Sequence, residues 1–346
     1  MKTSSSPKAA HKADGRAKPI LSIQYLRALA VISVVILHRG GITYIIPMTG
    51  AGVDLFFVIS GYIMFLITAR RESSPGVFLW QRLIRIVPPY WCMTTVAILL
   101  TLIWPQLLWS VDISPLHVLT SYFFIPHKTV PEFSERLIPA LTQGWSLNVE
   151  MYFYALIAAS LALPRRWQLG ALTALFVLLA WINVYHHPQE LLADFATKPL
   201  LLELLAGLWL GQFWDWKVLP GRKAGFSFIA LGFISILVEN AFNPLVDDLR
   251  PNGGAILIVL GALCIEADGG VKEYTRLRLL GDASYSVYLT HNLVVALIGT
   301  ILPRGLLSIA VSVAASSLLG VWIYTRLERP LYERLCLIRL PRAFRQ

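Results

Sequence analysis

Residues 27–38 of the chain read RALAVISVVILH. An arginine opens it, a histidine closes it, and nine of the ten residues between them are apolar. On a helix, the eleven steps from Arg27 to His38 turn through about 1100°, so the two side chains share one face and lie about 16 Å apart along the axis. In a membrane both groups are costly to bury and need a reason to be there. Either Arg27 snorkels to phosphate headgroups and His38 bonds to a neighbouring helix, or the two residues belong to a functional site.

The composition indicates a membrane protein. The chain has 346 residues, of which 56% are hydrophobic and only 14% are charged, whereas soluble domains carry about 25% charged residues. The net charge of +10 comes from residues that flank apolar segments and form no basic domain, which argues against nucleic acid as a partner. Cys92, Cys264 and Cys336 lack the spacing of metal ligands and predict neither a disulfide framework nor a zinc site.

Ten apolar runs are long enough to span a bilayer. They lie at about 22–45, 52–68, 86–104, 145–163, 168–185, 198–216, 224–239, 254–268, 281–302 and 305–325. A shorter run at 115–126 is ambiguous. Short cytoplasmic loops collect Lys and Arg, and most of the 30 basic residues fall on one side if 115–126 does not cross. The sequence therefore predicts an all-α integral membrane protein with about ten transmembrane helices, both termini cytoplasmic, and a re-entrant or interfacial 115–126.

The predicted organisation is one transmembrane domain with two tails. Residues 1–19 are polar and basic, and no cleavage site follows the first apolar run, which predicts a disordered cytoplasmic tail rather than a signal peptide. The transmembrane domain is predicted over 20–330 and a basic cytoplasmic tail over 331–346. No polar stretch is long enough to bury a core of its own.

Two arginines stand together in WQRLIRIVPPYW, residues 80–91. Arg82 and Arg85 are three residues apart, so they share a helical face at the predicted cytoplasmic surface, ahead of a Pro-Pro pair that suits a helix start. They are either ordinary positive-inside anchors or a clamp for an anionic cytosolic ligand, since guanidinium groups suit phosphate.

The segment GWSLNVEMYFY, residues 144–154, places a carboxylate in an apolar helix. Ser146, Glu150 and Tyr154 follow each other at intervals of four, so they form a polar stripe. Glu150 is predicted about a turn and a half into the membrane from the outside, where carboxylates mark functional sites by default.

Two further helices carry polar or small residues. In GDASYSVYLTHN, residues 281–292, Ser284, Tyr288 and His291 share one face, and packing and function explain His291 equally well. In GVDLFFVISGY, residues 52–62, Gly61 is predicted to allow close helix packing.

Together these motifs resemble the acyltransferase-3 family of integral membrane proteins, which includes O-acetyltransferases of bacterial exopolysaccharide, lipopolysaccharide and nodulation factors. Arg27 and His38 match its signature of an arginine, ten residues and a histidine. The other similar elements are GVDLFFVISGYIM (52–64), QRLIRIVPPYW (81–91), WSLNVEMYFY (145–154), SYSVYLTH (284–291) and YTRLERPL (324–331). Six elements in family order cover nearly all of the chain after its tail, and no motif of another chemistry, such as HExxH or GxSxG, is present.

The resemblance implies a transferase that moves an acyl group, most often acetyl from cytosolic acetyl-CoA, to a sugar hydroxyl at or beyond the outer face of the bacterial inner (plasma) membrane. It implies a polysaccharide or lipid-linked oligosaccharide acceptor, acetyl-CoA as donor substrate, no permanently bound cofactor and no metal. A homo-oligomer is left open.

The residues match these roles. Arg27, Arg82 and Arg85 lie on the predicted donor side and suit an anionic acyl-CoA. His38 is the candidate base for the acceptor hydroxyl, with His291 as a second catalytic candidate. Glu150, if it approaches His38, would orient the imidazole as the third group of a triad does. Direct transfer and a covalent acyl-histidine intermediate both remain open.

Two alternatives compete with this interpretation. One is a succinyl or other acyl donor. The other is a lipid-linked sugar flippase or transporter, which also uses buried charges. Two features favour the enzyme. No inverted repeat is visible in the sequence, and the cations are predicted toward the cytoplasm while the glutamate and histidine candidates are predicted toward the outside.

Overall fold

A computed structural model describes residues 20–40, 50–70, 74–108, 111–128, 137–242 and 251–338. The predicted tail 1–19, the end of the first predicted span and residues 339–346 lie outside these ranges. The described residues are all-α, as predicted. The helices are α1 Leu21–Gly40, α2 Gly52–Arg70, α3 Pro75–Ile103, α4 Pro115–Tyr122, α5 Gly144–Ser160, α6 Arg165–His186, α7 Leu191–Thr197, α8 Leu201–Trp216, α9 Arg222–Phe242, α10 Gly253–Ala267, α11 Thr275–Asp282, α12 Ser284–Ile301, α13 Leu306–Ile323, a π-helical turn Tyr324–Glu328, and α14 Arg329–Cys336.

Each of the ten predicted spans coincides with a helix, but the helices differ in length. Within the described residues, seven helical segments are long and apolar enough to cross a membrane: Leu21–Gly40, Gly52–Ala69, Pro75–Ile103, Arg165–His186, Arg222–Ala241, Ser284–Ile301 and Leu306–Cys336. The others, α5, α8 and α10, have 17, 16 and 15 residues. They rise about 22 to 26 Å, less than the ~30 Å hydrocarbon core, and two of them carry the carboxylates Glu150 and Glu203 within the bundle.

Hydrogen bonds show which helix ends lie together. Where α1 begins and α10 ends, the backbone N–H of Ser22 donates to Glu266 over 2.9 Å. At the opposite end, Arg39 near the end of α1 donates to Ser308 at the start of α13 over 3.0 Å. The end where α1 begins and α10 ends also holds the starts of α6, α9 and α11. We call it the basic end, because many of the basic residues lie there. Its basic residues include Arg165, Arg166, Lys217, Arg222, Lys223, Lys272 and Arg276. The positive-inside rule predicts that this end faces the cytoplasm.

The ambiguous run 115–126 does not cross. Its helix, α4, has eight residues and lies against α3, where the Tyr90 hydroxyl donates to the Ser121 carbonyl over 2.9 Å. Leu116, Leu119 and Phe123 are exposed. A short helix with one face packed and an apolar face exposed is typical of an interfacial segment.

We expect reporter fusions after His127 to report the outside, and fusions after Arg166 and Lys223 to report the cytoplasm. The reason is the predicted orientation of the basic end, together with an α4 that does not cross. Alkaline phosphatase and fluorescent-protein activities measure the two sides. A cytoplasmic signal at His127 with outside signals at the other two positions would reverse the orientation.

The start of α3 differs from the sequence prediction. The Pro88–Pro89 pair was expected to open this helix, yet α3 begins at Pro75, where the Ser74 hydroxyl accepts from the backbone N–H of Val77 over 3.4 Å. A serine N-cap followed by proline is a strong start signal. Proline inside a helix leaves a carbonyl one turn earlier without its usual partner, and membrane helices tolerate this where neighbours supply other hydrogen bonds.

This longer α3 carries Arg82 and Arg85 within the helix rather than ahead of it. Near the proline pair, the Tyr285 hydroxyl of α12 donates to the Ile86 carbonyl over 2.8 Å. The bond joins α12 to α3 one residue beyond Arg85, which holds this arginine beside α12.

Glycines allow α2 and α8 to pack at close range, as predicted for Gly61. A Cβ atom at Gly61 would lie 2.0 Å from the Leu204 carbonyl oxygen, and one at Gly207 would lie 2.1 Å from the Val58 carbonyl oxygen. Both obstacles are backbone atoms of neighbouring helices, so no side chain can rotate away. This contact fixes the position of α2, whose Ser60 lines the site described below.

We expect Gly61→Ala to destabilise the protein by about 1–3 kcal/mol or more, the usual cost of overpacking. The thermal transition of the purified protein measures this effect. Gly170→Ala is the matched control, because a Cβ atom at Gly170 meets nothing within 4 Å. Equal melting temperatures for the two variants would contradict the packing role.

Candidate active site

A cavity of about 120 Å³ lies between α1, α2, α3, α5 and α12. Its walls are apolar except for a set of polar and charged side chains that come from all five helices. These are Arg27, Ser60, Arg82, Arg85, Ser146, Glu150, Tyr154, Ser284, Tyr285 and Tyr288. The structure therefore places the three predicted donor-side arginines and the predicted carboxylate around one space.

The three arginines give the cavity a positive wall. Arg27 is buried, and its Nε donates to the Ser284 hydroxyl over 3.1 Å. Arg82 is buried as well, and its Nε has no partner among the described residues. Arg85 faces the carboxylate of Glu328, which lies on the π-helical turn. Guanidinium groups bind phosphate and carboxylate oxygens with paired donors, so this wall suits an anionic ligand.

Glu150 lines the same cavity and is held by hydroxyl groups. Its carboxylate accepts from Ser60 over 2.7 Å and from Tyr154 one turn along α5. The predicted polar stripe of α5 therefore lines the cavity. The Nδ1 of His38 lies beside the Val34 carbonyl, and the orientation of this imidazole by Glu150 stays a prediction.

Tyr288 lines the cavity and lies beside a pair of histidines. Its hydroxyl and the Ser146 hydroxyl lie 2.8 Å apart, and both can donate to the Gln143 carbonyl. One side of the Tyr288 ring lines the cavity, and the ring centroid lies 5.6 Å from that of His291. Tyr288 therefore contacts both the cavity and the histidine pair.

His38 and His291 form the pair. Their ring centroids lie 4.8 Å apart in an edge-to-face arrangement. The Nδ1 of His38 lies 2.8 Å from the Val34 carbonyl oxygen, and the Nδ1 of His291 lies 2.6 Å from the carbonyl oxygen of Tyr288. A carbonyl only accepts, so each neutral ring carries its proton on Nδ1 and its lone pair on Nε2.

The two rings differ in burial. His291 is fully buried, and its Nε2 has no partner among the described residues. His38 is exposed at the protein surface. An exposed imidazole with a fixed tautomer can act as a base toward a substrate outside the bundle. The buried His291 ring packs against it from the protein interior.

Two polar residues of the site had not been singled out from the sequence. Tyr285 lines the cavity and bonds to α3, and Gln143 donates to the Leu289 carbonyl over 3.0 Å. A polar residue at the start of an apolar helix was a signal for Gln143. Within the part of the chain that the structure describes, no cluster of three or more His, Cys, Asp or Glu side chains is arranged to hold a metal.

Comparison with known proteins shows to which family this chain belongs. The family model described as an acyltransferase domain matches residues 20–326. The chain belongs to the acyltransferase-3 family. It is 38% identical over 290 residues to the exopolysaccharide production protein ExoZ of Rhizobium meliloti (strain 1021), covering 82% of this chain and 90% of ExoZ.

More distant relatives include peptidoglycan O-acetyltransferases. The chain is 27% identical over 319 residues to OatA of Listeria monocytogenes, covering 81% of this chain and 50% of OatA. It is 28% identical over 311 residues to the putative peptidoglycan O-acetyltransferase YrhL of Bacillus subtilis, covering 79% of this chain and 48% of YrhL. The chain thus spans about half the length of these two relatives. No solved structure matches it. The chain is a multi-pass membrane O-acyltransferase.

Proposed function

We propose that this enzyme takes an acetyl group from cytosolic acetyl-CoA and transfers it to a hydroxyl of a surface polysaccharide or its lipid-linked precursor, in the bacterial inner membrane. The observation that carries the proposal is the order of groups through the bundle. Three arginines and Tyr288 line one cavity, the Tyr288 ring lies 5.6 Å from the His291 ring, and the His291 ring packs against His38.

The donor is assigned to the arginine wall. Acyl-CoA carries its phosphates far from its thioester, so one end of the molecule needs cations and the other needs a reactive group. Arg27, Arg82 and Arg85 supply the cations, and guanidinium groups bind phosphate with paired donors. Arg27 and His38 are separated by about 16 Å along α1, which leaves room for an extended chain between the two functions.

His38 is assigned to the chemistry. In direct transfer, its Nε2 takes the proton of the acceptor hydroxyl while that oxygen attacks the thioester carbonyl. The C–S bond breaks, and the CoA thiolate leaves with the proton from the imidazolium. In the covalent route, Nε2 attacks the carbonyl first, the C–S bond breaks, and CoA leaves as thiolate from an acyl-imidazolium. The acceptor oxygen then attacks the acetyl group, the bond to Nε2 breaks, and the hydroxyl proton is taken up by the CoA thiolate or by water. Both routes use the same nitrogen, which the Val34 carbonyl leaves deprotonated.

Glu150 and His291 have supporting roles in this proposal. The Glu150 carboxylate balances the arginines electrostatically and fixes Ser60 and Tyr154 at the cavity wall. His291 packs edge to face against His38 and holds its ring near Tyr288, so that an acyl group passing the tyrosine meets Nε2.

The purified protein in proteoliposomes tests the proposal. With acetyl-labelled acetyl-CoA on the side of the basic end, we expect label to move to a polysaccharide acceptor on the opposite side, and unlabelled succinyl-CoA to compete poorly. Omitting the acceptor is the control for simple hydrolysis. Label that stays on CoA in the presence of acceptor, or efficient transfer from succinyl-CoA instead, would contradict acetyl-CoA as the donor.

A further inference from the structure

A second and larger cavity, of about 510 Å³, lies at the basic end between the ends of α2, α5 and α8 and the start of α6. It shares no lining residue with the active-site cavity. Its charged residues are Arg165 and Arg166 on α6 and Asp215 on α8, and the rest of its wall includes Trp209, Trp216 and several leucines. The proposed acyl transfer gives this cavity no task.

The cavity lies at the level of the bilayer edge, on the outside of the bundle. Trp216 on its rim is 56% exposed, and Trp167 and Leu163 beside it are also exposed. Tryptophan is enriched at the membrane–water interface. Only 17% of the membrane-spanning window of α6 is buried, and half of the helix is exposed, as expected of a helix that faces lipid.

The charges of the cavity are of both signs and are not joined to each other. Within the described residues, Arg165, Arg166 and Asp215 form no ion pair, although all three line the same space. Two guanidinium groups suit a phosphate, and a carboxylate suits an ammonium group. A zwitterionic ligand with one phosphate and one free amine complements this arrangement.

We propose that this cavity binds the phosphoethanolamine headgroup of a membrane phospholipid. The phosphate lies between Arg165 and Arg166, the ammonium group lies at Asp215, and the acyl chains run along the apolar wall. Acyl-CoA also carries phosphate, but it has no cationic amine to pair with Asp215, and its multiple negative charges are repelled by that carboxylate. The inference stands independently of acyl transfer, because its test measures lipid binding.

The full-length protein in detergent, titrated with short-chain phosphatidylethanolamine and followed by native mass spectrometry, tests the proposal. We expect one tightly held lipid per chain. Replacing both arginines, Arg165→Gln with Arg166→Gln, should weaken binding about tenfold or more, since hydrogen bonds to charged groups are the strong ones. Asp215→Asn should weaken phosphatidylethanolamine but leave phosphatidylglycerol, which has no amine, unchanged.

The matched control is Lys223→Gln with Arg276→Gln, which removes two exposed cations of the basic end that lie outside the cavity. Equal loss of lipid in this control and in the arginine pair would overturn the proposal, as would equal affinity for phosphatidylethanolamine and phosphatidylcholine. Displacement of the lipid by acetyl-CoA, with a raised KM for acetyl-CoA in the Arg165/Arg166 variant, would reassign the cavity to the donor nucleotide and also overturn it.

Discussion

His38→Ala is expected to abolish measurable acyl transfer while the protein still folds and inserts. General acid–base catalysis contributes about 10²- to 10⁴-fold in rate, and a covalent route loses its nucleophile altogether. His38 is exposed, so its removal leaves no buried cavity. Initial rates with labelled acetyl-CoA and acceptor measure the effect, with size-exclusion profiles and melting temperature as the check on folding.

The matched control for this variant is His186→Ala, because His186 is an exposed histidine near the end of α6. It should retain the wild-type rate. A folded, membrane-inserted His38→Ala protein with transfer within a few-fold of wild type would remove His38 from the chemistry and leave His291 as the base to be tested.

Arg82→Ala and Arg85→Ala are expected to raise the KM for acetyl-CoA by about 10- to 100-fold, because hydrogen bonds to charged groups contribute about 1.5–3 kcal/mol each. Arg27→Lys is the more discriminating change. It keeps the charge but loses the planar fork that also donates to Ser284, so lysine should fail to restore donor use.

Steady-state kinetics at varied acetyl-CoA concentration test the three arginines. Arg276→Ala is the control, since Arg276 is an exposed cation of the basic end that does not line the cavity. An unchanged KM for acetyl-CoA in Arg82→Ala and Arg85→Ala would return these two residues to the role of membrane anchors. Wild-type activity in Arg27→Lys would show that a point charge is enough at that position.

The membrane class, the helix positions and the polar faces could be predicted from the sequence, because each depends on local composition and helical periodicity. Ser146, Glu150 and Tyr154 line one cavity, as their spacing indicates. The start of α3 was missed because a search for apolar runs excludes a helix that carries Arg82 and Arg85, even though Ser74 and Pro75 mark its start.

Long-range contacts could not be predicted. His38 and His291 meet across 253 positions of the sequence, and Ser60 of α2 donates to Glu150 of α5 across 90 positions. The break between α11 and α12 at Ala283 was also missed, since the apolar run continues through it. There, a Cβ atom at Gly281 would lie 2.1 Å from the Gln24 carbonyl oxygen, a close approach that only the folded bundle reveals.

We propose that this chain O-acetylates a surface polysaccharide through His38, and the O-acetyl content of that polysaccharide tests this proposal. Polysaccharide from a strain lacking the gene would be compared with polysaccharide from the same strain carrying the wild-type, His186→Ala or His38→Ala gene. We expect loss of O-acetyl groups in the deletion, restoration by wild type and His186→Ala, and no restoration by His38→Ala. Unchanged O-acetyl content in the deletion strain, or full restoration by His38→Ala, would contradict the account.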